Sequence, residues 1–234
     1  MQQEHSELHR LERCEAFIRS NFIEGPKPAG KRPHLVTLSR EAYSRAHEVG
    51  EALMERLEAD PSFNKKSWAL FDKHLVTHVL EAHQLPKELA QYMPEDREHS
   101  WTSVINEIIG LHPSLWELFH HTCDTILKLA TKGNVILIGR GAHILTRHFE
   151  GAVHARIVAP IEMRGRRAAE INACSYKAAC RTIHHEDHGR AAYLRSHFDQ
   201  AIDDPLAYDI TLNTGRLTPA DAAAALHALL RRRI

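Results

Sequence analysis

No net charge biases this chain toward a partner: 30 Lys plus Arg face 30 Asp plus Glu across 234 residues. A general surface field that would gather nucleic acid or an anionic membrane is not expected, so any recognition of anions has to be local. An apolar run near the roughly 20 residues that cross a bilayer is also lacking. The polar start, Met1-Gln2-Gln3-Glu4-His5, is unlike a signal peptide, and a cytoplasmic protein with no membrane partner is expected. Cys14, Cys123, Cys174 and Cys180 are scattered without a CxxC pair. That spacing argues against a zinc ribbon and a disulfide framework and leaves reduced, packed thiols. Internal repeats and low-complexity tracts are missing as well.

Histidine, by contrast, is plentiful at 19 residues, and net charge climbs as pH falls through its ordinary value of about 6.5. Number alone does not make a metal site. His184-His185-Glu186-Asp187-His188 crowds its ligands on successive residues, not at the i, i+4 spacing that suits zinc on a helix, and no metal centre is expected there.

The length allows one α/β domain with a lid or an added segment. Residues 4–22 read as an amphipathic helix with Leu8, Leu11, Phe17, Ile18 and Phe22 on one side, and the Gly- and Pro-rich stretch 24–30 ends it. Residues 1–30 are thus expected to form an N-terminal helix and linker, packed on its own domain or on a second copy as a homodimer contact. Residues 31–234 form the domain proper.

Within that domain, β-rich 34–38 runs through a turn into a stretch from 48 to 57 that is apolar at helical spacing. Residues 67–71 give a second strand ending at Asp72-Lys73. Helical sequence follows over roughly 73–131, punctuated by Pro86, Pro94 and Pro113, with Leu115, Leu118, Phe119, Ile126 and Leu129 on a buried face and Lys132-Gly133 as its stop. Residues 134–138 form a near-continuous apolar strand, of the kind covered on both faces. Residues 155–160 and 208–212 supply two more. Five strands alternating with helices predict a central, mostly parallel sheet between helical layers, with ligands at the carboxyl ends of the strands. The polar clusters Ser39-Arg40, Asp72-Lys73, Gly139-Arg140-Gly141, Arg164 to Arg167 and Asn213-Thr214 all follow a predicted strand.

Taken in order, Thr37-Leu38-Ser39-Arg40-Glu41, Phe71-Asp72-Lys73-His74-Leu75, Gly139-Arg140-Gly141-Ala142 and Ala159-Pro160-Ile161-Glu162-Met163-Arg164 resemble the cytidylate kinase-like family of P-loop proteins. Asp187-His188-Gly189-Arg190 and the run 204–214 extend the resemblance to about residues 34–230. It implies a three-layer P-loop kinase-like domain with a lid over about 160–200. It also implies transfer of the γ-phosphoryl of ATP, with magnesium, to a nucleoside monophosphate or other small acceptor. In that family the loop reads Gly-Ser-Gly-Gly, where this chain has Tyr43-Ser44-Arg45-Ala46, and a standard loop carries Lys at Ala46 and a small or hydroxyl residue at His47. Side chains at Tyr43 and Arg45 make a positive φ unfavourable there.

The resemblance implies that Ser44 and Arg45 contact donor phosphates, Arg45 standing in for the missing lysine. Arg40, Gly139, Arg140 and Gly141 take the acceptor phosphate, Arg140 bidentately. Asp72 orients the acceptor or holds magnesium through water, or else caps the helix that follows. Arg164, Arg167, Arg190 and Arg195 are the lid set that neutralises developing charge, or else a solvated face. The altered loop leaves a second implication open: a catalytically inactive pseudokinase that binds a nucleotide or phosphorylated ligand through Arg140 and the lid.

Overall fold

The computed structural model describes residues 34–63, 67–72 and 115–233. The expected helix at 4–22, its linker, any homodimer contact through it, and the helical sequence from 73 to 114 lie outside these residues. Five parallel strands form one sheet: β1 (Leu35–Arg40), β2 (Ala69–Phe71), β3 (Val135–Ile138), β4 (Ala152–Val158) and β5 (Ile210–Asn213), in the order β2-β3-β1-β4-β5. Between them run α1 (Ala46–Ala59), α2 (Leu115–Lys132), the single turn α3 (Ala142–Leu145), α4 (Ile161–Ile171), α5 (Tyr176–Phe198) and α6 (Pro219–Arg231). The chain is α/β, and the sheet is the parallel, helix-flanked sheet that the strand and helix alternation predicts. None of the described helices is long and apolar enough to cross a membrane.

The two faces of the sheet differ in chemistry. On one, Val36, Leu38, Ile136, Ile138, Val153, Ala155 and Ile157 pack under Val49, Leu53 and Leu57 of α1 and Ala222, Leu226 and Leu230 of α6. Side chains alternate across a strand, so Leu35, Thr37 and Ser39 point the other way. That second face is apolar only at its start, where Leu35, Ala69, Val135, Leu137 and Ala152 meet Ile126, Leu129 and Ala130 of α2. Further along it becomes polar yet stays buried: Thr37 and Ser39 lie beside His154 and Arg156, their register partners on β4. Thr37 Oγ1 is 2.8 Å from His154 Nδ1, and Arg156 Nη1 donates to Ser39 Oγ at 3.2 Å. A buried polar side chain without such a partner costs roughly 1–3 kcal/mol, so the pairs come matched.

This polar seam explains two boundaries that the sequence misplaces. The strand expected at 155–160 is β4, which begins at Ala152, because His154 and Arg156 interrupt the apolar run without interrupting the ladder. The strand expected at 208–212 is β5, which runs from Ile210 to Asn213, because Asp209 is committed to the His154 amide (Oδ2, 2.7 Å). The helix expected from 48 starts at Ala46. α2 stops at Lys132 as predicted, and Gly133 and Asn134 turn the chain with φ of 72° and 56°.

Gly50 lets α1 approach the sheet, since a Cβ there would sit 2.3 Å from Leu70 Cδ1. Gly50→Val should lower stability by roughly 1–3 kcal/mol through overpacking. Chemical denaturation of the two proteins checks this, with wild-type-like stability as the contrary outcome.

Candidate functional site

The carboxyl ends of β1 and β3 meet in a shallow, solvent-open cleft lined by Ser39, Arg40, Gly139, Arg140, Gly141, His143, Arg190, Tyr193, Leu194 and Ile202. The structure therefore brings the four expected acceptor residues, Arg40, Gly139, Arg140 and Gly141, to one wall together with Arg190 from α5. Gly139, Arg140 and Gly141 adopt left-handed backbone in succession, with φ of 83°, 58° and 69°. Gly141 is required twice over, because a Cβ there would meet the Phe198 ring at 2.4 Å. The tight turn aims Arg140 inward, and it is 7% exposed where a solvated turn arginine would be open.

Sequence reasoning missed the rest of that wall. His143 is buried and stacks on Tyr208 at 4.8 Å between ring centroids. The Tyr208 hydroxyl donates to the Ile202 carbonyl at 2.8 Å and lies 3.1 Å from Ser39 Oγ, fixing the segment around Ile202 against the end of β1. The signal was present as polar residues at period two in a buried strand, Thr37 and Ser39, which predicts polar partners facing them.

Residues 41–45 form the turn before α1. Tyr43 and Arg45 both adopt left-handed backbone, with φ of 58° and 65°. The strain expected of side chains at these two positions is therefore carried by the native loop, and what holds it is external bracing. Tyr43 Oη accepts from Asn172 Nδ2 at 2.7 Å. Thr214 Oγ1 donates to the Ser44 carbonyl at 2.8 Å, and Glu41 Oε2 accepts from the Ala159 amide at 3.0 Å. Asp187 of α5 accepts from the Ala42 amide at 2.7 Å. Each left-handed non-glycine residue costs on the order of 1–3 kcal/mol, and surrounding contacts have to outweigh it.

The Ser44 hydroxyl donates to the Glu41 carbonyl at 2.8 Å and is buried, so at this residue it is the backbone, not the hydroxyl, that is left to face a ligand. Arg45 is the N-cap of α1 and makes no side-chain cap, which leaves the first amides of a 14-residue helix without that partner. Its Nε is 3.8 Å from Glu48, a carboxylate it shares with Arg167. Burial, and then the nearby Arg45 charge, hold the Arg167 guanidinium below its ordinary value. Two cations crowd one carboxylate at a helix N-terminus, which favours a further anion there.

The four arginines expected to act as one lid set separate into different roles. Arg164 is buried and ties elements together: Nε donates to the Ala159 carbonyl (2.8 Å), Nη1 to the Ala42 carbonyl (3.2 Å) and to Asp187 (2.6 Å). Arg190 pairs with Asp187 and Glu186 on α5 and reaches the cleft. Arg167 pairs with Glu48 in the first turn of α1. Arg195 is exposed, pairs with Asp199 near the end of α5 and does not line the cleft.

Asp72, at the end of β2, is buried, and its Oδ2 lies 3.3 Å from His47 Nε2 in the first turn of α1. The proposed cap role rests on the helix beginning at Lys73, outside the described residues. Magnesium, which the resemblance implies, prefers oxygen donors in a near-octahedral shell. Asp72 suits it, but the imidazole at the hydroxyl position of a phosphate loop does not.

The family comparison agrees with this architecture. The chain matches the cytidylate kinase-like family over residues 35–216 and belongs to it. No curated protein matches it. Among solved structures, an uncharacterized protein from Eubacterium ventriosum superposes with a TM-score of 0.63 at 17% identity, covering 85% of this chain and 98% of its own. Shikimate kinase from Bacteroides thetaiotaomicron matches at 0.49 and 11%, with 85% and 98% covered. Shikimate kinase from Acinetobacter baumannii, in complex with shikimate, matches at 0.46 and 13%, with 86% and 94% covered. The parallel, helix-flanked fold is shared with the Eubacterium ventriosum protein, and the family is cytidylate kinase-like.

Two measurements test the site as built. Burial first, then the His154 and Arg156 charges, push the His143 imidazole down to about 4. Unfolded histidine binds its proton near 6.5 while native His143 stays neutral until about pH 4, so its stabilising share is present above pH 6.5 and lost between 6.5 and 4. That loss is on the order of 3 kcal/mol, and His143→Gln should flatten the fall in a pH series of denaturation curves. Asp187→Asn keeps the size but removes the charge facing Arg164 and Arg190. It should cost about 2 kcal/mol, and an unchanged denaturation midpoint would contradict the bracing role.

Proposed function

We propose that this protein binds ATP at the 41–47 loop and transfers its γ-phosphoryl to a small acceptor, a nucleoside monophosphate or similar phosphorylated compound, held in the arginine cleft. The observation that carries this reading is the loop itself: Tyr43 and Arg45 hold the left-handed turn that glycines usually supply, and it opens on the N-terminus of α1. Consecutive amides in such a turn converge on an anion. Arg45 and Arg167 supply charge for donor phosphates, and Arg45 takes the place of the absent lysine. Arg40 and Arg140 bind the acceptor's phosphate from the end of the sheet. Arg190 reaches from the lid toward the transferring group, and Arg164 acts as a positioning residue that holds lid and loop together. Catalysis then consists of alignment and of charge neutralisation at the moving phosphoryl. His47 stands where a magnesium-binding hydroxyl would be, and its imidazole does not suit that ion.

Calorimetric titration with ATP, with and without magnesium, tests donor binding. Micromolar binding that weakens at least tenfold in Arg45→Ala is expected, and no heat from either protein would discard the kinase reading. With an acceptor panel, Arg140→Ala should raise the acceptor KM by roughly 10–100-fold while ATP affinity stays unchanged. Binding without turnover on any acceptor would instead make the chain a pseudokinase. An Arg140→Ala protein with no ligand phenotype would leave only a structural role.

A further inference from the structure

The arginines of the cleft select for negative charge, and any phosphate satisfies them. What the rest of a ligand carries has to be read by a neutral group. In the polar wall behind the arginines such groups come matched: Thr37 meets His154, Ser39 accepts from Arg156, and Tyr208 donates to the Ile202 carbonyl. His143 has no match of this kind. Its side chain is 4% exposed, and among the described residues its Nε2 is buried with no hydrogen-bond partner.

Packing does not account for an imidazole at this place. The ring stacks on Tyr208 at 4.8 Å between centroids, which a phenyl ring would do as well. A buried polar atom without a partner is destabilising, and native structures keep few of them. His143 also lines the cleft, on the wall that carries Ser39, Arg140 and Gly141. Burial, with the charges of His154 and Arg156, keeps the ring neutral down to about pH 4. A neutral imidazole has one N–H donor and one acceptor nitrogen. It offers no charge to a second anion, and a ligand ammonium would have to sit beside Arg40, Arg140 and Arg190. A hydroxyl both donates and accepts, so it fits either tautomer of the ring.

We infer that His143 is a specificity-determining residue of the cleft, which receives a hydroxyl of the ligand beside the phosphate held by Arg140. The acceptor is then a sugar or polyol phosphate, and a phosphate on a bare hydrocarbon chain is discriminated against. The inference rests on the acceptor reading of the arginine cleft. It adds to that reading a neutral contact that charge alone does not supply.

Two small probes isolate the hydroxyl. Glycerol 3-phosphate and n-propyl phosphate share the anion and the carbon chain, and only the first carries hydroxyls. Each is titrated calorimetrically into the full chain and into His143→Phe, His143→Gln and Arg140→Ala, with far-UV dichroism to confirm that each variant is folded. The wild type should bind glycerol 3-phosphate about tenfold more tightly than propyl phosphate, the worth of one buried hydrogen bond. His143→Phe keeps a ring to stack on Tyr208 and should bring that ratio to near one by weakening glycerol 3-phosphate while propyl phosphate binds as before. His143→Gln restores a hydrogen-bonding group and should keep the preference, reduced. A purely structural role would not move one probe without the other. A ratio near one in the wild type, or the same preference in His143→Phe, overturns the inference, and if Arg140→Ala weakens both probes the acceptor cleft still stands. No binding of either probe by the wild type overturns the cleft reading and this inference together.

Discussion

A single carboxylate joins the loop before α1 to α4 and α5. Asp187 accepts from the Ala42 amide of the loop, from Arg164 of α4 and from Arg190 of its own helix. Without that negative charge, two arginines would face each other at the mouth of the turn, and the loop amide would lose its partner. Charge-assisted bonds of this kind are about twice as strong as neutral ones. They offset part of the strain at Tyr43 and Arg45, where glycines would have removed it. The loop thus keeps its shape through contacts around it and not through its own backbone freedom.

The polar half of one sheet face performs the complementary task. Thr37, Ser39, His154 and Arg156 would destabilise a core if they were left unmatched, but in register they pair with one another and with Tyr208 and Asp209. The result is a rigid wall at the carboxyl ends of β1 and β4. His143, kept neutral by burial, completes it without adding charge next to Arg40, Arg140 and Arg190. Arg40, Arg140 and Arg190 put positive charge on the ligand side, while the wall behind carries one cation, Arg156, and one carboxylate, Asp209.

The strand alternation and the polar residues at strand ends were legible in the sequence because they depend on local pattern: β3 and the stop of α2 lie where apolar period and Gly133 place them. The gathering of Arg40 and Arg140 at one cleft followed from the rule for parallel sheets. Three features were not legible. Arg164 sits among arginines at helical spacing, and only tertiary contact distinguishes a brace from a ligand-facing group. The left-handed turn at Tyr43 and Arg45 contradicts local preference, and the residues that enforce it, Asn172, Asp187 and Thr214, are far away in sequence. The strand containing His154 was read short because burial of a polar residue depends on its partner across the ladder.

Those distant braces have a consequence for the order in which the chain acquires its shape. The loop lies near residue 43, yet its fastenings are separated from it by 129 residues at Asn172, 145 at Asp187 and 170 at Thr214. A glycine loop can turn as soon as the strand before it forms. This one is fastened from beyond β5, so the chain through Thr214 has to be made before the turn is fully braced. Contacts of such long separation form late and slowly. Exchanging local glycines for long-range fastening makes the formation of the loop a report on the completeness of the whole domain, and a truncated product would carry the segment without its shape.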